Sequence, residues 1–487
     1  MKRTLLIGLL PLVLAVVILG ACRKDPDFDD ESDLQTSVSE IVFDTVFTTV
    51  GSTTKMFYIK NSSNQPILTS INLGGGNSSN FRVNVDGVPG VAFSDVEIPA
   101  NDSLFIFVKV TVDPQNSNSP LVIRDSLMFT TNGHQKKVGL TAWGQDAHYI
   151  VADKALGGSL NYKIVAGEGV DTTWTNDKPY LIYGYAVIDS TGTLRINPGV
   201  KLHFYNGSGM WVYKGGSLKV NGTADEPVVF QGPRLEPEYR ELPGQWDRIW
   251  INEGAVDNEI NHAIIKNGFI GIQAETLDAS MGNKLVIRNT EVRNMSGIGL
   301  LSRFYRIRSY NSVFSNCAVY GVCLTIGGAY DFRHCTIGNY WSLSTRQTPS
   351  LVVTDYYNDL YNGVIYTGDL DTAYFGNCIV YGSLEEEMLF DDYPDAGVFN
   401  YFMENCVVRT KLEVADGTHY LGMTANQDPA FTNSGAGDYS LKAISGAIDK
   451  GSMNVILTSP YDITFDIKGN SRLINPPPDP GAYDYRP

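Results

Sequence analysis

The sequence predicts an all-β protein in which a β-sandwich precedes a long solenoid of stacked coils. Apolar residues alternate in short runs separated by Gly, Asn and Asp, and no long stretch has helical periodicity. Short motifs that begin with Asn or His then recur at intervals of 22 to 28 residues, with one interval of 43 that corresponds to about two coils, and this indicates stacked repeats. At 487 residues the chain exceeds one ordinary compact core, so two domains are expected.

The first 21 residues are predicted to be a signal peptide that is absent from the mature protein. Lys2 and Arg3 form a positively charged start, and an apolar stretch follows from Leu5 to Leu19. The run Leu19–Cys22 resembles a lipobox, after which the new N-terminal cysteine receives acyl chains. Cys22 is therefore the predicted lipidation site, and an ordinary secretory leader is the alternative.

The segment after the cleavage site, residues 22–35, is polar and acidic and is predicted to be a tether. Its acidic run resembles the export signal of surface lipoproteins, whereas a plain acidic linker is the alternative. We therefore expect an outer-membrane protein, lipid-anchored and exposed at the cell surface, with a periplasm-facing anchor as the second option. The formal net charge of −16 argues against nucleic acid, so the membrane, reached through the acyl chains, is the expected partner.

Residues 36–146 predict an immunoglobulin-like β-sandwich, because short alternating runs are separated by Gly-rich and Asn-rich turns. The predicted strands are Glu40–Phe47, Lys55–Lys60, Ile67–Leu73, Phe81–Val85, Ser103–Val112, Asp125–Thr130 and Lys137–Ala142. Ile98–Ser103, Thr130–Gly133 and Ala142–Gln145 resemble the Ig-like modules of abnormal-spindle and hydin-type proteins. A spacer role is expected for this domain, and residues 147–180 are the predicted connecting segment.

Residues 181–487 are predicted to form the solenoid, whose corners are marked by two ladders of polar residues. The first ladder consists of His262, Asn289, Asn311, His334, Asn377 and Asn405. The second ladder consists of Asn267, Asn294, Asn316 and Asn339. Asn tolerates the left-handed backbone that a sharp corner needs. The small residue after each first-ladder corner should point into the core, so Cys335, Cys378 and Cys406 are predicted to be buried apolar residues.

These repeats resemble the right-handed parallel β-helix of pectin-lyase-like proteins over roughly residues 181–487. Gly244–Trp250 and Gly327–Phe332 are similar to segments of β-helix lipoproteins. The C-terminus resembles the choice-of-anchor Q type of β-helix ending, with Gly446 where that pattern has Pro. The matching segments are Asp428–Phe431, Asp438–Leu441, Ala447–Gly451 and Asp479–Asp484. The implied fold class is all-β, a right-handed parallel β-helix preceded by an Ig-like β-sandwich.

The resemblance implies two kinds of polysaccharide chemistry, and the sequence contains the full motif of neither. Hydrolysis needs clustered carboxyl groups. The segment most similar to a hydrolase motif, Asn289–Glu291, has no Asp pair one coil later. Elimination needs calcium ligands and a basic residue. The main acidic cluster consists of Glu385, Glu386, Glu387, Asp391, Asp392 and Asp395. Such a run more often forms a solvated loop than a calcium site, and no zinc-ligand spacing is present.

One stretch of this acidic chain is basic, since Lys and Arg outnumber Asp and Glu between residues 264 and 310. Lys266 and Arg293 hold equivalent places in the repeat, and Arg288 and Arg333 share another. If these positions face outward, their side chains lie about 5 Å apart and can bind carboxylates or sulfates. The candidate residues for acidic-glycan binding are Lys266, Arg288, Arg293, Arg306, Arg308 and Arg333. A solubilising face with scattered ion pairs is the alternative.

The sequence thus favours a lipid-anchored envelope protein that binds glycans or mediates adhesion without catalysis. One alternative is a polysaccharide lyase or glycoside hydrolase that acts on uronic-acid polysaccharide, and another is a structural envelope protein. An enzyme needs convergent acids or an acid/base pair, whereas a binder needs only an exposed strip of Arg and aromatic residues. No catalytic residue, metal or cofactor is predicted. Residues 342–372 interrupt the repeat and are expected to be an inserted loop.

Overall fold

The computed structural model describes residues 27–48, 51–112, 121–158, 160–252, 255–276, 284–394, 397–474 and 476–486. The predicted signal peptide and Cys22 lie outside these ranges. The chain divides into two compact units after Asp146. Within the described ranges, no helix combines the length and the apolar character that crossing a membrane requires. Strands are numbered β1 to β43 along the chain.

The first unit is a β-sandwich built from two five-stranded sheets. Its strands are β1 Gln35–Thr36, β2 Glu40–Phe47, β3 Lys55–Lys60, β4 Ile67–Leu73, β5 Phe81–Val85, β6 Val88–Gly90, β7 Ala92–Ile98, β8 Ser103–Val110, β9 Leu121–Thr131 and β10 His134–Gln145. One sheet has the order β1-β3-β8-β5-β6, and the other has the order β2-β10-β9-β4-β7. Each of the seven predicted strands overlaps a strand of the structure.

Alternation along the strands gives each sheet of the sandwich one buried face. In β8, Ile106 and Val108 are buried in the core between the sheets. Phe105, Phe107 and Lys109, which alternate with them, are exposed. The outer face of this sheet therefore carries large apolar side chains that the core does not use.

The second unit is a parallel β-helix, in which each strand pairs with the equivalent strand of the next coil. An eleven-stranded sheet runs along one side. Its strands are β11 His148–Val151, β15 Tyr180–Tyr183, β18 Lys201–Phe204, β21 Val228–Gln231, β24 Ala263–Lys266, β27 Glu291–Arg293, β29 Val313–Ser315, β31 Thr336–Asn339, β36 Ile379–Gly382, β39 Val407–Val408 and β41 Thr424–Ala425. All ten pairings within this sheet are parallel.

The remaining faces of the coils form a sheet of eighteen strands. Its strands are β12 Lys154–Leu156, β13 Leu160–Ala166, β14 Asp171–Trp174, β16 Tyr185–Ile188, β17 Thr193–Ile196, β19 Gly209–Val212, β20 Ser217–Asn221, β22 Ile249–Asn252, β23 Asn258–Asn261, β25 Ile270–Glu275, β26 Leu285–Arg288, β28 Ile298–Tyr310, β30 Tyr320–Arg333, β32 Leu351–Thr354, β35 Leu370–Gly376, β37 Met388–Asp391, β38 Phe399–Glu404 and β40 Tyr420–Leu421. Apart from β12, which is antiparallel to β13, its strands pair in parallel from coil to coil.

The β-helix begins earlier than the sequence predicts. Residues 147–180, the predicted connecting segment, contain strands that stack on the next coil: β11 pairs with β15, β13 with β16, and β14 with β17. This first coil lacks the polar corner residues by which the later coils can be aligned in the sequence. The ladders begin only at His262, so they mark neither this coil nor the predicted boundary at residue 181.

The corners of the later coils lie where the ladders predict them. All six members of the first ladder have left-handed backbones, with φ between 48° and 52°. In the second ladder, Asn267, Asn294 and Asn316 are also left-handed. Asn339 is the exception: it lies within β31, and its side chain bonds the backbone N–H and C=O of Cys317 at 3.2 and 2.9 Å.

The small residues beside the corners fill the narrow core. Cys335, Cys378 and Cys406 are fully buried and form no disulfide, which confirms their predicted role as small core residues. The corner amides also bond between coils, since Asn311 Nδ2 donates to Asn289 Oδ1 at 3.3 Å. Small core residues and bonded corners together keep successive coils in register.

Two segments depart from the coil pattern. The predicted insertion at 342–372 contains an antiparallel hairpin of β33, Tyr356–Asp359, and β34, Val364–Thr367, although β32 within it belongs to a coil. The C-terminal segment contains β42 Phe431–Asn433, β43 Asp438–Leu441 and the short helix α1, Met453–Leu457. Tyr439 and Tyr483 of this segment are buried against outward-facing residues of the eleven-stranded sheet.

A buried ion pair fixes the segment before β32. Arg346 and Glu387 are both almost fully buried, and the guanidinium donates to the two carboxylate oxygens at 2.6 and 2.8 Å. Glu387 also accepts hydrogen bonds from the backbone and hydroxyl of Ser350 at 3.0 and 2.6 Å. Each charge is therefore compensated inside the protein.

Replacing Arg346 with Met should lower the free energy of unfolding by about 3 to 5 kcal/mol, because Glu387 then keeps a buried charge without its partner. The double variant Arg346→Met/Glu387→Met should recover part of this loss. Urea unfolding followed by circular dichroism measures both values. A double variant that is less stable than the single variant would contradict this account of the pair.

Candidate functional site

The eighteen-stranded sheet places outward side chains from successive coils in straight rows. In one row, Arg308 of β28 lies beside Asp331 of β30, and Asp331 lies beside Tyr374 of β35. Arg306 begins the neighbouring row, which reaches Thr372 two coils later. Because paired strands lie about 4.8 Å apart, residues far apart in the sequence form one continuous surface.

These rows line an open groove of about 500 Å³, which falls within the size range of ligand sites. We name this surface the basic groove. Its charged residues and its outward-facing tyrosine are Lys284, Arg306, Arg308, Asp331, Arg333 and Tyr374. Four cations thus share the groove with one carboxylate, in a chain whose net charge is strongly negative.

Arg308 is the cation of the groove that is available to a ligand. Its side chain is exposed and has no hydrogen bond or ion pair with another residue in the described part of the chain. Arg306 is also exposed and is paired only loosely with Asp371, at 3.5 Å. Lys284 is 3.8 Å from Asp257, across another exposed contact. Exposed pairs of this kind contribute little to stability, so a ligand can replace them at small cost.

Arg333 forms a fixed wall of the groove. Its Nε donates to Asp331 at 2.8 Å, and its Nη1 donates to the carbonyl of Val455 at 2.9 Å. The guanidinium also lies 4.9 Å from the centre of the Tyr374 ring. These contacts hold Arg333 in place, so it contributes charge to the groove from a set position.

The hydroxyl of Tyr374 stays protonated at the edge of the groove. Burial raises its pKa, and Glu404, which accepts its hydrogen bond at 2.8 Å, raises it further. Asp331 is likewise engaged, because it accepts hydrogen bonds from Tyr310 at 2.9 Å and from Arg333. Neither group is arranged as a free base.

Lys266 and Arg293, two of the predicted binding residues, lie elsewhere. They are neighbours in the eleven-stranded sheet, on β24 and β27. Glu241 contacts both: Lys266 Nζ lies 2.9 Å from one carboxylate oxygen, and Arg293 pairs with the other. Burial opposes ionisation of Glu241, but Arg293 and Lys266 outweigh it and hold its pKa below the usual value. Arg293 Nε also lies 3.7 Å from Glu291, so both cations are paired within the protein.

Arg288 belongs to the eighteen-stranded sheet but is also paired internally. It forms an ion pair with Glu259, and its guanidinium lies 5.2 Å from the centre of the Tyr461 ring. The structure therefore divides the six predicted residues into two sets. Arg306, Arg308 and Arg333 line the basic groove, whereas Lys266, Arg288 and Arg293 do not. Glycan binding by either set stays a prediction.

The predicted acidic cluster does not converge on one point. Glu387 is buried with Arg346, Glu386 accepts a hydrogen bond from Thr410, and Glu385 pairs with Lys411. Asp395 lies outside the described residues. In the described ranges, no group of three or more His, Cys, Asp or Glu side chains is placed to hold a metal ion.

Three residues of the groove were not among the predicted binding residues: Lys284, Asp331 and Tyr374. The sequence does contain a signal for two of them. Arg308, Asp331 and Tyr374 are each the third residue before a corner of the first ladder, so the repeat places them in one row. The first-ladder repeat positions that predicted binding residues lie directly beside the corners, two residues away from this row.

Comparison with known proteins identifies part of the second unit. Residues 166–270 match a family model described as a pectate-lyase-like β-helix domain. Over these residues the chain resembles that family. No curated protein matches the chain.

A solved structure of a family 123 glycoside hydrolase from Clostridium perfringens, described for the hydrolysis of glycolipid glycans, aligns with 12% identity and a TM-score of 0.17. The alignment covers 22% of this chain and 23% of that one.

The groove cations should differ in what they contribute to stability. Replacing Arg333 with Ala removes charge-assisted hydrogen bonds and should lower the free energy of unfolding by about 1.5 to 3 kcal/mol. Replacing Arg308 with Ala should change it by less than about 0.5 kcal/mol, because the side chain is exposed and pairs with none of the described residues. Urea unfolding of both variants tests this difference. Equal losses would mean that Arg308 has a structural role.

Proposed function

We propose that the basic groove binds an acidic polysaccharide without cleaving it. The observation that carries this proposal is Arg308, an exposed guanidinium that lines a concave surface and has no partner among the described residues. Around it, Arg306 and Lys284 have only loose, exposed partners, and Arg333 is held in place. Guanidinium groups bind carboxylates and sulfates through paired hydrogen bonds, so an anionic sugar polymer satisfies this arrangement.

The match to a pectate-lyase-like domain makes a uronic-acid polymer the first ligand to test. Stacked coils also suit a polymer, because their rows of side chains repeat along the axis at about the strand spacing of 4.8 Å. The basic groove lies in later coils than the matched residues 166–270. The proposed ligand is therefore supported by the chemistry of the groove and by the type of domain, in that order.

The groove favours binding over catalysis. Hydrolysis needs two carboxyl groups on opposite sides of the scissile bond, but Asp331 is the single carboxylate among the lining residues described. It already accepts hydrogen bonds from Arg333 and Tyr310. Tyr374 is unsuited to act as a base, because burial and Glu404 keep its hydroxyl protonated. A binding site needs none of these groups to be free.

We also propose that acyl chains on Cys22 anchor the protein in the outer membrane, with the folded units at the cell surface. The N-terminal sequence supports this proposal through its lipobox-like run and the acidic segment after it. An anchored protein with a polymer-binding groove would act in adhesion or glycan capture. A purely structural envelope protein would need the anchor but not the groove.

Replacing Arg306 and Arg308 together with Ala should weaken binding of polygalacturonate at least tenfold, about 1.4 kcal/mol, and should make the remaining affinity less dependent on salt. Isothermal titration of the chain from residue 23 onward, at low and high salt, measures both effects. Lys214→Ala is the matched control, because it removes an exposed positive charge outside the groove.

Three results would contradict the binding proposal. Equal affinity in the double variant would exclude the groove as the site. Absence of binding across a panel of acidic polysaccharides would favour the structural role. Release of unsaturated or reducing ends during incubation, with or without calcium, would show a lyase or hydrolase.

Replacing Cys22 with Ser should abolish acylation, because serine cannot form the thioether that carries the lipid. In a lipoprotein-processing bacterium fed with labelled palmitate, the wild-type chain should be labelled and membrane-bound, and the variant should carry no label. Protease treatment of intact cells should degrade the wild-type protein if it faces outward. Label retained by the Ser variant would exclude Cys22 as the acylated residue. Protection from protease would place the protein on the periplasmic side.

A further inference from the structure

The sandwich exposes a patch of large apolar side chains on the outer face of the sheet β1-β3-β8-β5-β6. Met56 and Phe107 are direct cross-strand partners, and so are Tyr58 and Phe105. Between 38% and 55% of each of these side chains is exposed. The rings of Tyr58 and Phe105 lie 6.3 Å apart, edge to face. We name these four residues the aromatic face.

A pair of cations borders the aromatic face. Arg82 of β5 and Lys109 of β8 are direct cross-strand partners, and both are exposed. Neither has an ion pair with any residue in the described part of the chain, although Arg82 Nη1 donates to the carbonyls of Ser79 and Phe81. Like charges placed directly opposite each other destabilise a sheet. No carboxylate of the described residues compensates these two positive charges, so an anion bound beside both strands would reduce their repulsion.

The cations and the aromatic face meet in a depression of about 400 Å³. Phe107 lines it on the apolar side, Arg82 and Lys109 line it on the charged side, and Asn84 and Pro89 complete the rim. This volume lies within the range of small-ligand sites. An apolar surface, two cations and a side-chain amide thus converge on one place.

We propose that this outer face of the sandwich is a second polysaccharide-binding site, specific for an acidic glycan. The apolar faces of its sugar rings would lie against Tyr58, Phe105 and Phe107. Its carboxylate or sulfate groups would lie between Arg82 and Lys109. This inference rests on the sandwich alone and does not depend on ligand binding by the basic groove.

A glycan fits this surface better than a second protein copy does. A stable protein interface buries about 800 Å² on each partner, whereas the aromatic face consists of four partly exposed side chains and is bordered by charge. A symmetric dimer would also present Arg82 and Lys109 from both copies at the same interface. An acidic glycan needs no such large interface and supplies the missing negative charge.

The test uses the chain from residue 23 onward with Arg306→Ala and Arg308→Ala, so that the basic groove does not contribute. Hyaluronan hexasaccharide is the acidic probe and cellohexaose is the neutral probe. We expect hyaluronan hexasaccharide to bind. We expect each of the double variants Tyr58→Ala/Phe105→Ala and Arg82→Ala/Lys109→Ala to weaken that binding at least tenfold. Val122→Ala, which shortens an exposed side chain on the opposite sheet, should leave it unchanged.

The remaining outcomes overturn the proposal. Absence of hyaluronan binding would exclude the site. So would a double variant that binds hyaluronan as tightly as the chain without the sandwich substitutions. Equal affinity for the neutral probe would refute the role of the cations. Self-association that light scattering detects without glycan, and that Tyr58→Ala/Phe105→Ala abolishes, would assign the face to contact between copies. Urea unfolding of each variant ensures that lost binding does not reflect lost folding, because all four replaced side chains are exposed.

Discussion

Parallel strand pairing between successive coils is the interaction on which the rest of the second unit depends. It fixes which residue lies above which, and so it turns positions in the repeat into straight rows on the surface. The left-handed corners make this pairing possible, because they return the chain to the same place in each coil. The basic groove follows directly: Arg308, Asp331 and Tyr374 are neighbours only because their coils are in register.

The sequence predicts the features of this fold that repeat and misses those that occur once. The first-ladder corners and the buried Cys335, Cys378 and Cys406 were predictable, since a corner needs a residue that tolerates positive φ and a narrow core needs small residues. The first coil, within residues 147–180, was missed because it lies ahead of the first recognisable repeat and far ahead of the ladders, which begin at His262. Asn339 was misassigned because a buried Asn that bonds to backbone looks the same in sequence as a corner Asn.

The candidate site was harder to predict, because charge is easily counted in a sequence whereas charge pairing is not. Lys266 and Arg293 share Glu241, a residue on a separate loop far from Arg293 along the chain. Nothing in the local sequence shows that this carboxylate lies between them. Tyr374 was missed for another reason: it carries no charge, and it lies three residues before its corner, away from the residues beside the corners that mark the repeat.

The middle coils of the β-helix are completed only after the C-terminal segment has been synthesised. Solenoids can grow by adding one coil to the last, but here Arg472 is buried and donates to Asn311 Oδ1 at 3.2 Å, back in the middle coils. Tyr439 likewise bonds Asn316 at 2.8 Å. The middle coils are thus closed by residues that leave the ribosome more than a hundred positions later. A chain truncated before these residues leaves the outer surface of the middle coils uncovered, so truncated and full-length chains differ in exposed surface far from the C-terminus.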